Sequence, residues 1–309
     1  MNDFDSLQFR DDVVALFPGQ GSITSGVGEA WQHSEHWSIV TKVSEAAGTD
    51  VEELLLRMSN EDVVRTDRAQ IATFALSMVG YAELLSAGIR PRYLLGHSLG
   101  EFSALVASGL LGIEDGARLI SVRGAAMARA ASEVSGSMVA LMGADEGAKE
   151  ALASVDGVWI ANINGTGQLV VSGTEDGLAF LQSNHKELGW KRCTPLAVGG
   201  AFHSPLMAPA QVELDTALSS VTWSQTDAVL IANVDGQIHT TADDWKQLLS
   251  RQLTSPVEFL DATLNLPDSV TSTIEMPPGS VLTGLTKRIR EFQYQFAPST
   301  PEQVKEISL

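Results

Sequence analysis

The sequence predicts an α/β fold, a large body carrying a small inserted lobe, and three observations predict it. Short apolar runs lead into glycine-rich turns and then into helical patterns: Val13–Phe17 before Pro18-Gly19-Gln20-Gly21-Ser22, and Tyr93–Leu95 before GHSLGE. Each reads as a buried strand feeding a tight turn. From about residue 136 to 198 the pattern contracts to strand, helix, strand, strand, helix, strand: GSMVALMG, DEGAKEALASV, VWIANIN, QLVVSG, TEDGLAFLQSNHKEL and KRCTPLAV. That order is ferredoxin-like. Strand and helix signals resume after residue 203 with VLIANV and ADDWKQLLSRQL. The small unit is therefore read as an insertion, with the body at 1–131 and 199–309 and the lobe at 132–198. The stretch between the first turn and about residue 88 is mainly helical in pattern, a further amphipathic helix covers about 114–131, and the tail after about 292 reads as a loose extension.

Composition narrows the function. Of 309 residues, 44% are hydrophobic and 19% charged, which is a globular rather than a disordered balance. The opening MNDFDSLQFRDD has neither the basic start nor the apolar core of a signal peptide. No stretch reaches the roughly 18 apolar residues of a membrane span, so a cytoplasmic location is expected. Cys193 is the only cysteine, and with no Cys or His partner at ligand spacing it predicts neither a disulfide nor a metal site. With 38 acidic against 20 basic side chains the net charge is −18, which opposes nucleic acid and anionic membrane. Nothing marks an obligate interface, so a monomer is expected.

Gly96-His97-Ser98-Leu99-Gly100 lies between an apolar strand and a helix, the context of a nucleophile elbow. Glycines on both sides let the turn tighten without a Cβ clash, and the serine oxygen then projects at a helix N-terminus. An ordinary Gly/Ser turn is the plain alternative, and the strand–turn–helix context favours the nucleophile. It also makes the large body α/β-hydrolase-like. A serine hydroxyl needs a base to take its proton. Of six histidines, His33 and His36 lie in a polar segment, His185 on a lobe helix, His239 in a turn, and His97 beside the serine, its side chain expected to point away. His203, in GGAFHSPLM where the chain returns from lobe to body, is the best placed. Two readings of Arg123 stand side by side: a surface residue with a buried stem, or a pocket residue gripping a carboxylate with two hydrogen bonds. FPGQGS lacks the downstream Lys-Ser/Thr of a phosphate loop, and its amides are instead candidates for a second oxyanion donor.

Taken together, FPGQGS at 17–22, GHSLGE at 96–101, Arg123, GAFHSPLM at 200–207, RQL at 251–253 and VLTGLTKRI at 281–289 resemble the malonyl-CoA:acyl carrier protein transacylase family. The match runs in order over both body and lobe. The resemblance implies Ser98 as nucleophile, His203 as general base and acid, and Arg123 as clamp on the free malonyl carboxylate. It implies an oxyanion hole from the backbone N–H groups of Gln20 and Leu99, and a main-chain carbonyl of Gln252 that orients the histidine. Gln70 and Asn162 match pocket positions, and Phe202 matches a bulky ring before the base. The implied partners are malonyl-CoA and acyl carrier protein. No cofactor is implied, since coenzyme A enters as part of the substrate, and fatty-acid rather than polyketide synthesis is the expectation for a free-standing chain. Three positions depart from the family pattern: Ile71 and Thr166 stand where proline is usual, and Met276-Pro277-Pro278-Gly279 replaces a Gly-Pro-Gly turn.

Two rivals are weighed against this. A serine esterase or thioesterase would need a triad acid between Ser98 and the histidine, and none is clearly marked; an inactive binding module would not need Ser98, His203 and Arg123 together. An acidic carrier would be repelled by a −18 chain unless basic residues cluster near the pocket mouth. The candidates are Lys191, Arg192, Lys287, Arg288 and Arg290, with Lys287 and Arg288 assigned to docking. Phe202 resembles the malonyl-type version of the GAFHSPLM motif, in which a bulky ring leaves little room for an α-methyl branch, so the resemblance implies a kcat/KM that favours malonyl-CoA over methylmalonyl-CoA; comparable values for the two would refute that role.

Overall fold

A computed structural model describes residues 7–309. Its ten strands are β1 Phe9–Phe17, β2 Arg90–Gly96, β3 Gly136–Ala144, β4 Val158–Gly165, β5 Gln168–Thr174, β6 Trp190–Pro195, β7 Val229–Ile231, β8 Ile238–His239, β9 Ser272–Glu275 and β10 Tyr294–Phe296. Six of them form one sheet in the order β10-β9-β1-β2-β7-β8. All its pairings are parallel except that of β7 with β8. The continuous run Val13–Phe17 is buried throughout, as a central parallel strand covered on both faces requires.

Helices supply that cover. Thr66–Ser86 is buried on almost every face, including the polar Gln70, Thr73 and Ser77. It packs against Ile113–Glu133 and against the elbow helix Leu99–Ala107. An all-round burial of this kind replaces the one-sided stripe of a surface helix. The long helix runs straight through Ile71, and at Gly80 it meets the segment 276–279 so closely that a Cβ there would lie 2.2 Å from Pro277 Cδ. Ser77 fixes the same segment by donating to the Pro277 carbonyl at 2.6 Å. Thr166 occupies an exposed position in the turn from β4 to β5.

The remaining four strands form a separate antiparallel sheet in the order β4-β5-β3-β6, with the short helix Ala148–Leu152 after β3 and the helix Glu175–Asn184 after β5. One face carries its own core, including Val139, Leu141, Val171, Leu181 and Trp190. Two backbone bonds tie it to the body: Ile163 N–H donates to the Val257 carbonyl and Val257 N–H to the Ala161 carbonyl, each at 2.9 Å. Helix Ile113–Glu133 continues two residues beyond the boundary expected after 131. Cys193 sits half-buried on β6.

The C-terminal tail differs from expectation. β10 pairs with β9 at the sheet edge, and helix Pro301–Lys305 docks on Thr66–Ser86 with Pro301 and Val304 buried. The polar flanks at 297–303 hide the two residues that anchor it. Val304→Ala should therefore cost about 1.5–3 kcal/mol and lower Tm by several degrees; calorimetry showing no shift would restore the loose tail.

Candidate active site

β2 ends at Gly96, the chain turns sharply through His97 and Ser98, and the elbow helix begins at Leu99. Ser98 has φ 53° and ψ −110°, a conformation that costs a non-glycine residue about 1–3 kcal/mol unless its surroundings enforce it. The flanking glycines show why the turn is so tight. A Cβ on Gly96 would lie 2.0 Å from the backbone of Gly100, and one on Gly100 only 1.9 Å from the Phe17 carbonyl oxygen. Main chain therefore packs on main chain. Asn233, just beyond β7, accepts from Ser98 N–H at 2.6 Å and donates to the Gly96 carbonyl at 2.7 Å. The side-chain amide of Gln252 donates to the Ser98 carbonyl at 2.9 Å.

His203 also holds a positive φ, 56°. Ser172, on β5, donates to the Phe202 carbonyl, and Ser204 to that of Ala201 at 2.6 Å, pinning the chain on both sides of the ring. His203 Nδ1 lies 2.8 Å from the main-chain carbonyl of Gln252, and Nε2 lies 2.7 Å from Ser98 Oγ. A carbonyl can only accept, so Nδ1 carries the proton and Nε2 presents its lone pair to the serine hydroxyl. Burial, reinforced by the charge of Arg123, pushes His203 down to about 3, so the ring is neutral at pH 7. Three of the other histidines bond elsewhere: His36 to Ser86, His185 to the Gln182 carbonyl, and His239 to Asp235. His97 does turn aside, its Nε2 2.9 Å from Asn164 Oδ1, although its ring remains part of the cavity wall.

Arg123 is not the surface residue of its first reading, and it is not among the residues lining the cavity either: it meets the site through Ser98. It is 1% exposed, on the inward face of Ile113–Glu133. Nη1 donates to Gln70 Oε1 at 2.5 Å, and Nη2 donates to Gln252 Oε1 at 2.9 Å and Ser98 Oγ at 3.1 Å. Its Nε is buried without a partner. Every bonded acceptor is neutral. Burial pulls the guanidinium down to about 10, with Glu101 opposing, so it remains charged at neutral pH. A buried cation bonded only to neutral groups is poised for an anion.

A cavity of about 230 Å³ opens above Ser98 and His203. Gly19, Gln20 and Gly21 form one wall, and Asn162 and Phe202 contribute to it; Val64, Met127, Met138, Val170, Leu196 and Val198 make the rest largely apolar. Gln70 is not on that surface: it is fully buried behind Arg123, donating to Thr66 Oγ1 at 2.8 Å, which donates in turn to Gln20 Oε1 at 2.7 Å. Gln70 thus bonds Arg123 and is not among the residues lining the cavity. Gln20 opens a 3-10 turn and Leu99 the elbow helix, the positions where N–H groups have no intrahelical acceptor. A larger hollow of about 650 Å³ near Arg90 and Glu114 contains none of these residues.

Three contributions were absent from the sequence reading: Asn233, the side chain of Gln252, and the fully buried Glu101, which accepts from Asn233 N–H at 2.6 Å and Gln252 Nε2 at 2.5 Å. An acid in the otherwise apolar run EFSALVA and an asparagine closing VLIAN were the available signals. Of the basic candidates, Arg288 donates to Gln168 at 2.9 Å, and Lys191 and Arg192 are exposed on β6. Arg290 is instead committed to the carbonyls of Leu266, Pro267 and Val270.

A family model described as the acyl transferase domain matches residues 14–299. The chain is 36% identical over 301 residues to the malonyl CoA-acyl carrier protein transacylase of Bacillus subtilis (strain 168), covering 95% of each. Among solved structures, the malonyl-CoA:acyl carrier protein transacylase of Xanthomonas oryzae pv. oryzae superposes with a TM-score of 0.90 at 32% identity, covering 96% of this chain and 97% of that one. A malonyl-transacylase in complex with a type II PKS acyl-carrier protein gives a TM-score of 0.89 at 30% identity, covering 95% and 97%.

The lowered His203 pKa has a direct consequence. Below about 6.5 the unfolded chain gains a proton that the folded ring refuses, so this group withdraws stability as pH falls from there toward its folded value of about 3. In a nitrogen-15 histidine spectrum, His203 should keep the shifts of a neutral Nδ1–H ring from pH 8 to pH 5; titration near 6.5 would contradict the buried geometry.

Proposed function

Because the chain belongs to the malonyl-CoA:acyl carrier protein transacylases of the acyl transferase family, we propose that it transfers malonyl groups to acyl carrier protein for fatty-acid synthesis through a malonyl ester on Ser98. The observation that carries this reading is the alignment of Ser98, His203 and the Gln252 carbonyl beside a buried guanidinium with no bonded anion.

In this scheme Gln70 and Gln252 hold the guanidinium while the malonyl carboxylate takes the donor that Arg123 Nη2 gives to Ser98 Oγ, and Ser98 Oγ attacks the thioester carbon as its proton passes to His203 Nε2. The N–H groups of Gln20 and Leu99 receive the oxyanion. Collapse breaks the C–S bond, and the departing thiolate of coenzyme A takes the proton from His203. The carrier's phosphopantetheine thiol then reverses the steps, giving its proton to His203 and attacking the serine ester, so Ser98 Oγ leaves and is reprotonated. The carboxylate also offsets the Arg123 charge that, after burial, holds His203 down, so that part of the depression is relieved when the correct substrate binds. An acetyl thioester offers no such compensation and leaves the guanidinium unpaired. The Gln252 carbonyl stands where a hydrolase triad would place its acid, which weakens the esterase alternative. Nothing in these steps calls for a resident cofactor, and we read the protein as a cytoplasmic monomer.

The strand order β4-β5-β3-β6 supports the ferredoxin-like reading of the lobe, and the elbow supports the hydrolase-like reading of the body. We assign carrier docking to Lys287 and Arg288. In the lobe sheet Met142 pairs with both Arg192 and Gln168, so these three share a face with Val170 of the cavity wall. Arg288 reaches that row through Gln168, and Arg192 joins the basic group from the other side.

Intact mass measured after brief mixing with malonyl-CoA should show one malonyl adduct that is absent in Ser98→Ala, absent with acetyl-CoA, and cleared by carrier protein. Steady release of malonate without an adduct would point to a hydrolase, and intact malonyl-CoA to a binding module. Reversing charge with Lys287→Glu and Arg288→Glu should raise KM for carrier protein while leaving self-acylation unchanged; an unaltered KM would remove these residues from docking.

A further inference from the structure

Resting on the serine-transfer reading above, we propose that Glu101 is a positioning residue whose two carboxylate oxygens set the nucleophile and the substrate clamp through Asn233 and Gln252. Glu101 is fully buried in the first turn of the elbow helix, three residues beyond Ser98. One oxygen accepts from the backbone N–H of Asn233 at 2.6 Å, the other from Gln252 Nε2 at 2.5 Å. Each oxygen thus meets an N–H donor, one from main chain and one from a side-chain amide. Among the described residues it has no salt-bridge partner.

Both residues that it holds grip the elbow. Asn233 clasps Ser98 N–H and the Gly96 carbonyl, while Gln252 bonds the Ser98 carbonyl and, through Oε1, Arg123 Nη2. With Nε2 committed to Glu101 and Ser98, the Gln252 amide has only one orientation that presents its oxygen to Arg123. A flipped amide would set NH₂ against the guanidinium and an oxygen against the carboxylate. The same residue lends its main-chain carbonyl to His203. Glu101 itself touches neither His203 nor the cavity, so it acts only through these neighbours.

A carboxylate is required because both contacts are donors. Glutamine at this position would have one acceptor and one NH₂, so either the Asn233 backbone N–H would lose its acceptor or the Gln252 amide would face a donor and turn. Burial pushes the Glu101 carboxyl up to about 7, against the pull of its two donors. Keeping such a group in the interior is costly unless those bonds are used.

The test compares wild type, Glu101→Gln, Gln252→Leu and the double variant, measuring loading of Ser98 by malonyl-CoA and acetyl-CoA with quenched-flow mass spectrometry, alongside melting temperatures. Glu101→Gln should lower malonyl loading by about 10–100-fold, the scale of a small misplacement of reacting groups. It should also reduce the malonyl-to-acetyl ratio at least about tenfold, because Arg123 loses its aimed partner. In the double variant this ratio should fall no further than in Gln252→Leu alone. A Glu101→Gln enzyme within twofold of wild type, or a double variant that multiplies the two losses, overturns the proposal. If Glu101→Gln does not fold, Gln252→Leu decides, since it keeps the carbonyl for His203; an unchanged malonyl-to-acetyl ratio then overturns the proposal. Failure of the underlying functional reading looks different, because wild type itself would carry no malonyl adduct.

Discussion

The contact between Gly100 and the Phe17 carbonyl governs the site. With only 1.9 Å available to a Cβ there, the elbow helix can begin directly over the end of β1 only if position 100 has no side chain. That approach brings the first-turn amides of the helix beside the glycine turn at 19–21, and it swings Ser98 into its unfavourable backbone conformation. Asn233 and Gln252 then hold from outside what the turn would not hold alone.

Around this backbone core the charges are arranged without direct pairing. Arg123 and Glu101 are both buried, yet the Gln252 amide stands between them, its oxygen toward one and its nitrogen toward the other. A direct ion pair would have satisfied the arginine within the protein and left it little affinity for a ligand carboxylate. The bridging amide instead keeps the cation fixed in place and electrostatically unspent. The neutral imidazole of His203, held beside that cation, completes the resting arrangement.

Much of this was legible in the chain itself. Ser98 stood out because a glycine on each side, a strand before and a helix after leave few conformations open to it. His203 and Arg123 were identified through their order along the chain, with geometry supplying the reason: both must reach Ser98 from elements far apart in sequence. Asn233, Gln252's side chain and Glu101 were not identified, because their importance lies in mutual hydrogen bonds spanning 132 to 154 residues, and the local signals at EFSALVA and VLIAN do not say which distant residues they join. Gln70 was expected on the cavity wall and stands behind Arg123 in the structure, since position in a motif does not say which side of an arginine a residue occupies. The tail escaped for a simpler reason: its two anchors, Pro301 and Val304, are scattered among polar residues.

The hydrogen bonds joining Ile163, Ala161 and Val257 make the lobe a wall of the active site rather than a hinged door. Opening the cleft by swinging the lobe would break main-chain bonds on the very strand that bears Asn162. The frame of the cavity is thus tied together by main chain, and its bore is set by the side chains that project into it. Changes of diet in such an enzyme would come from recutting Phe202, Met127, Met138 or Val170, with the frame left standing.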